Sequence, residues 1–225
     1  MDAPDGTPAP GGDEAPPNTH VLLVPLKRFD QAKERLTGSL GRTGRRDLAE
    51  RLADGVLAAG AGLHVVVVCA DDATAGWAIE RGASVHRCRG DGLVDDVSDA
   101  YRAVSARGAD RVTIAPGDLA RPRRLGAFLA EQLGARTDRN TDLHTDRLVI
   151  VVPDRRRDGT NLLSLPAGLA FRFRYGPGSA AAHDQEARRL DLEVRTVADE
   201  DLGWDVDLPD DLSGLDRAGE PGGTL

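Results

Sequence analysis

Four short, largely apolar runs, the first three each followed by a stretch with helical periodicity, constrain this chain more than any other feature. They are residues 20–26 (HVLLVPL), 64–70 (HVVVVCA), 111–115 (RVTIA) and 148–152 (LVIVV). Runs that are apolar throughout, rather than at alternate positions, belong to strands covered on both faces, and such strands are mostly parallel ones roofed by helices. The intervening stretches fit that role. Residues 43–60 carry Leu48, Leu52 and Val56 at four-residue spacing and reach Gly60 at their end, which predicts a helix. Asp72 is placed to cap a second helix that stops near Gly82. A short strand at 83–87 follows, with helices expected at about 94–106 and 122–133. Beyond 152 come short strands near 161–165 and 169–174, a helix from Ser179, a strand at about 192–197 and a last helix from Pro209. The alternation predicts an α/β three-layer sandwich with a mostly parallel, mixed central sheet, its later short strands adding an antiparallel element.

The chain's 225 residues allow one generous domain. Residues 1–19 and 218–225 are rich in Pro, Gly and acidic residues and read as disordered tails around a domain at 20–217; residues 135–146 read as a polar loop. With 29 basic and 37 acidic residues the net charge is -8, which argues against a nucleic-acid binder. A local basic loop can still hold a small anion within an acidic protein. Cys69 and Cys88 form no CxxC pair and the five histidines are scattered, so neither a disulfide framework nor structural zinc is expected, and a cytoplasmic location is. No apolar run approaches the roughly 20 residues that span a bilayer, and the first residues lack the apolar core of a signal peptide.

In parallel sheets ligands bind beyond the carboxyl ends of strands, and three segments there carry useful chemistry. Lys27, Lys33 and Arg35 follow the first strand, where they can meet a triphosphate; a solvated charged turn fits the spacing equally well. The nearby Gly38, Gly41 and Gly44 match neither a P-loop nor a Rossmann fingerprint. Asp118 follows the strand at 111–115 and faces the same edge, unless it caps the next helix. Asp205 and Asp207 point the same way in an extended segment because the side-chain period there is two. Two such carboxylates repel unless a cation lies between them, and magnesium takes one or two carboxylates plus phosphate oxygens. Asp210 and Asp211 fall in the first turn after Pro209 and read as surface residues favoured by the helix dipole. Thr160 and Asn161 sit at a turn into a strand. Gly176, Gly178 and Ser179 precede a helix whose first amides can cradle an anion, although an ordinary turn and N-cap fit as well.

Taken in order, VPLKRFDQAKERL, PGDL, PDRRRDGTNLL, FRYGPGS and LGWDVDLPDDL resemble the phosphoenolpyruvate and 2-phospho-L-lactate guanylyltransferases of coenzyme F(420) biosynthesis, over roughly residues 20–215. The resemblance implies a nucleotide-diphospho-sugar-transferase-like fold, similar to that of the molybdenum-cofactor nucleotidyltransferases. It implies Mg2+ held by Asp118, Asp205 and Asp207, and a phosphorylated three-carbon acid held by Thr160, Gly176 and Ser179. The partners it implies are GTP, that acid, and a downstream transferase of the coenzyme pathway that takes the product. Three positions depart from the family pattern: Ala120 stands for a proline, Arg157-Asp158 for a Gly-Thr pair, and Val94-Asp95 for Leu-Asn. An Asp–x–Asp pair also serves sugar-nucleotide glycosyltransferases, and a nucleotide-binding paralogue without turnover is the remaining alternative.

Overall fold

The computed structural model describes residues 19–134 and 145–217. Both expected tails, apart from Thr19, and residues 135–144 of the polar loop lie outside the described residues. Seven strands form one sheet: β1 (Thr19–Pro25), β2 (His64–Cys69), β3 (Ser84–Arg87), β4 (Ala109–Ile114), β5 (Leu148–Pro153), β6 (Thr160–Pro166) and β7 (Glu193–Thr196). Their order is β3-β2-β1-β4-β6-β5-β7. Strands β1 to β4 are parallel, β6 runs antiparallel to both β4 and β5, and β7 is parallel to β5. The expected mixed sheet is therefore present, with β6 as its reversed strand.

Helices α1 (Arg42–Ala59), α2 (Asp72–Glu80), α3 (Leu93–Ala106), α4 (Leu125–Gly134), α5 (Ser179–Arg189) and α6 (Pro209–Arg217) complete the chain. The unbroken apolar character of β1 now has its cause. Leu22 and Val24 face a layer made by α1, α2 and α4, with Ala53, Val56, Trp77 and Phe128. Val21 and Leu23 face the opposite layer, where α3 and α5 supply Val97, Tyr101, Val104 and Ala187. All four β1 side chains are at most 1% exposed. Burying each stabilises the fold by about 1.5–3 kcal/mol, which is why residues 21–24 are apolar on both sides of the strand.

Two expectations need correction. The cap of α2 is Asp71, whose carboxylate accepts from the Thr74 N–H at 2.9 Å, and Asp72 is the first helical residue. Residues 169–174 are extended but join no strand. Backbone donors there are taken by helix side chains instead: Leu169 N–H by the Tyr101 hydroxyl of α3, and Arg172 N–H by Glu186 Oε1 and Arg174 N–H by His183 Nε2 of α5, each at 3.0 Å. Phe171 and Phe173 point into the core, so the alternation that reads as a strand is real, while the hydrogen-bond ladder is not.

Candidate functional site

The reversal of β6 places its first residue, Thr160, beside Pro153 at the end of β5. That edge of the sheet is also where the parallel β1 and β4 end, so segments from four strands converge there. After β1 the chain makes two short 3-10 turns, at Phe29–Gln31 and Glu34–Leu36. Phe29 packs edge-on against Trp77 with ring centroids 4.9 Å apart, and Leu36 is buried with Leu48, Leu52 and Val206. These anchors hold Lys33 in the left-handed region at φ 58°, a conformation that non-glycine residues rarely adopt. Its ammonium lies 2.6 Å from Asp118 Oδ2, with the lysine side chain only 6% exposed. Arg35 reaches Asp207 Oδ2 at 2.5 Å from a more exposed position. Lys27 is exposed and has no ion pair among the described residues.

The acidic side is built by backbone pairing. Leu119 and Asp205 form an isolated antiparallel bridge. The Ala120 N–H donates to Trp204 O at 2.8 Å, and the Val206 N–H to Asp118 O at 3.1 Å. The bond that Ala120 donates is one that a proline at this position could not make. Asp118 and Asp205 are thus neighbours although 87 positions separate them. Burial, then the Asp118 charge, raise the Asp205 pKa above the ordinary carboxylate value, and the Asn161 amide partly offsets this by donating to Oδ1 at 3.3 Å. The segment depends on Gly203, because a Cβ there would lie 2.6 Å from Asp199 O and 3.1 Å from Pro153 O.

Asp210 is exposed as expected, but Asp211 is not a surface residue. It is 2% exposed, accepts from the N–H groups of Asp207 and Leu208 at 2.8 and 2.7 Å, and is ion-paired with Arg155. Arg155 and Arg156 line a small cavity with Asp154, Asp205, Asp207 and Asp211. The run of three arginines at 155–157, directly beyond β5, was the available signal for this basic contribution.

The second cluster lies at the start of α5. Ser179 Oγ donates to Thr160 Oγ1 at 3.1 Å, and His183 Nδ1 lies 3.0 Å from the same oxygen. Gly176 has φ +96°, and a Cβ there would meet nothing within 4 Å. The amides that open α5 already have acceptors: Gly178 N–H bonds Asp158 Oδ1, Ser179 N–H bonds Gly176 O, and Ala180 N–H bonds Asp158 O. This end of the helix therefore offers hydroxyls to a ligand more readily than amides. Asp158, one of the residues that depart from the family pattern, fastens the turn onto the helix. Ser179 also lines a cavity of about 530 Å³ together with Arg172, Arg174, Tyr175, Gly178 and Val94. Asn161 joins the two clusters, since it follows Thr160 and bonds Asp205.

No three His, Cys, Asp or Glu side chains among the described residues form a ready-made cation site. The donor set nevertheless suits an ion that arrives with phosphate oxygens as further ligands, because Asp118 and Asp205 crowd each other's charge. Lys33 and Arg35 presently supply the opposing charges.

A mostly parallel sheet whose strand ends gather Lys33 and Arg35 with the carboxylates of Asp118, Asp205 and Asp207 suits an α/β nucleotidyltransferase-type enzyme. The fold matches that of a Desulfovibrio desulfuricans G20 protein provisionally named a nucleotide-diphospho-sugar transferase, with a TM-score of 0.67 at 19% identity over 89% of this chain and 87% of that one. The family model described as "Guanylyl transferase CofC like" matches residues 20–221, and the chain belongs to that family. A phosphoenolpyruvate guanylyltransferase of Rubrobacter xylanophilus is 33% identical over 88% of this chain and 93% of its own length. A 2-phospho-L-lactate guanylyltransferase of Methanothermobacter thermautotrophicus is 27% identical over 88% and 84%.

Proposed function

We propose that this chain transfers GMP from GTP to phosphoenolpyruvate or 2-phospho-L-lactate and releases pyrophosphate. The observation that carries this reading is the pairing of Lys33 with Asp118 at the strand ends, beside a second cluster of hydroxyls at Thr160 and Ser179. Lys27, Lys33 and Arg35 would hold the triphosphate. Thr160, Gly176 and Ser179 would hold the acid, with the Arg172 and Arg174 side chains lining the adjoining cavity. In the reaction a phosphate oxygen of the acid forms a bond to the α-phosphorus of GTP as the α–β anhydride bond breaks in line. That oxygen is already anionic, so no general base is needed, and positioning and charge stabilisation supply the rate. Magnesium held by Asp118, Asp205 and Asp207 would neutralise charge on the triphosphate. The enzyme would act in the cytoplasm and hand its diphosphate product to a downstream transferase. No helix among the described residues is long and apolar enough to cross a membrane, and Cys69 and Cys88 are both free.

Pyrophosphate release from GTP, measured with each acid in turn, tests the reading. Release that requires phosphoenolpyruvate or 2-phospho-L-lactate supports it. GTP binding without release with any phosphorylated acid would identify a non-catalytic paralogue, and transfer from a sugar nucleotide would identify a glycosyltransferase.

A further inference from the structure

Among the described residues His183 is the one histidine that touches the proposed acid pocket, bonding Thr160, and nothing in the reaction uses it as an acid or a base. It sits on α5, 0% exposed, with its ring between Phe171 and Tyr175 at centroid distances of 5.9 and 5.3 Å. Both ring nitrogens are engaged. A backbone N–H can only donate, so the Arg174 N–H at 3.0 Å requires a lone pair on Nε2. The single proton of a neutral ring is then on Nδ1, which donates to Thr160 Oγ1 at 3.0 Å. Burial keeps the ring neutral by lowering its pKa to about 4.

This tautomer sets the direction of the whole hydrogen-bond chain. Thr160 Oγ1 accepts from His183 and has Ser179 Oγ at 3.1 Å. The two hydroxyls carry two protons, and at most one lies between them. No acceptor among the described residues takes the other, whichever way the pair is oriented. A chain that begins with an imidazole donor must end with an outward O–H, which suits an oxyanion and opposes a cation or another donor. A histidine of the other tautomer would accept from Thr160 and withdraw that proton from the ligand. The same ring fixes the backbone of Arg174, whose side chain lines the cavity beside Ser179.

We infer that His183 is a positioning residue for the acid substrate: through Nδ1 it turns the Thr160–Ser179 pair into an outward donor, and through Nε2 it seats Arg174. The inference rests on the pocket assignment made above. The test is steady-state kinetics with varied phosphoenolpyruvate and varied GTP on four variants, each checked for an intact thermal transition. His183→Gln can still accept from Arg174 but has no donor at the Nδ1 position. It should raise KM for the acid about tenfold or more, the cost of one hydrogen bond to a charged group, and leave KM for GTP unchanged. His183→Asn restores a donor near Nδ1 but not the acceptor for the Arg174 N–H, and should recover part of that loss. Thr160→Val should raise KM for the acid on its own, and the double variant Thr160→Val/His183→Gln should be no worse than Thr160→Val, because His183 acts through that hydroxyl. An unchanged KM for the acid in His183→Gln, a parallel rise in both KM values, or full additivity in the double variant would overturn the role of His183 while leaving the pocket standing. An unchanged KM for the acid in Thr160→Val would overturn the pocket and this inference with it. Should His183→Gln fail to fold, a rise in KM for GTP as large as that for the acid in His183→Asn would also overturn it.

Discussion

Asp205 carries its charge against two opposing effects, burial and the neighbouring Asp118. Asparagine keeps the size of the side chain and the oxygen that accepts from Asn161, and removes only the charge. Asp205→Asn is therefore expected to leave the thermal midpoint unchanged or higher while lowering turnover by roughly a hundredfold or more. A lower midpoint with full turnover would make the carboxylate structural. Lys33 presents the converse case, since its ammonium is almost covered and paired with Asp118. Lys33→Ala should raise KM for GTP more than KM for the acid, and should also lower stability by about 1–3 kcal/mol because Asp118 loses its partner. Equal changes in the two KM values would return residues 26–36 to a solvated turn.

At the scale of elements, the strands were legible because burial on both faces writes an unbroken apolar run such as Val21 to Val24. Helix α1 was legible from Leu48, Leu52 and Val56. The extended segment at 169–174 misled because alternation reports which side chains are buried, as Phe171 and Phe173 are, and not what the backbone bonds to. Asp211 misled for a related reason: its position in a first turn is visible in the sequence, but its burial depends on Arg155, 56 positions away. His183 left no trace at all, since its contacts require β6 and α5 to be side by side. Gly203 is a further case, where three backbone segments meet. A methyl group there would press on Asp199 O at 2.6 Å, and carbonyl oxygens of the backbone cannot swing aside as a side chain can. Gly203→Ala should cost about 1–3 kcal/mol and reduce turnover further than that loss of stability explains, because Asp205 is two residues on. Wild-type turnover at temperatures well below the midpoint would show that the bridge to Leu119 tolerates the shift.

The molecule as a whole has a net charge of -8, yet its acid sensitivity should come first from two imidazoles, the half-buried His20 and the buried His183. His20, bonded to Thr113 at 2.7 Å, and His183 both have pKa values lowered to about 4, by burial and, for His20, by the Arg111 charge as well. In the unfolded chain each takes up a proton below about 6.5. The folded form does not until about pH 4, so stability is full above 6.5 and is lost as pH falls through that window. For His183 the loss is on the order of 3 kcal/mol when fully expressed. Denaturant midpoints should be level from pH 8 to 7 and decline from 6.5 to 4.5, less steeply in His20→Gln. A flat profile would mean that these rings are charged in the fold. The β4–β6 ladder has a consequence of a different order. It divides the sheet into an all-parallel half, β3-β2-β1-β4, and a half made of β6, β5 and β7. Lys33 and Asp118 belong to the first half, and Thr160, Ser179, His183, Asp205 and Asp207 to the second. A fragment that stops at Gly134 would carry Lys33 and Arg35 with Asp118 alone of the three carboxylates, and its complement would carry the hydroxyls with Asp205 and Asp207 but without Lys33 and Arg35. The proposed site is the property of a seam, owned by neither half, so a split version of this protein could act as a reporter of its own reassembly.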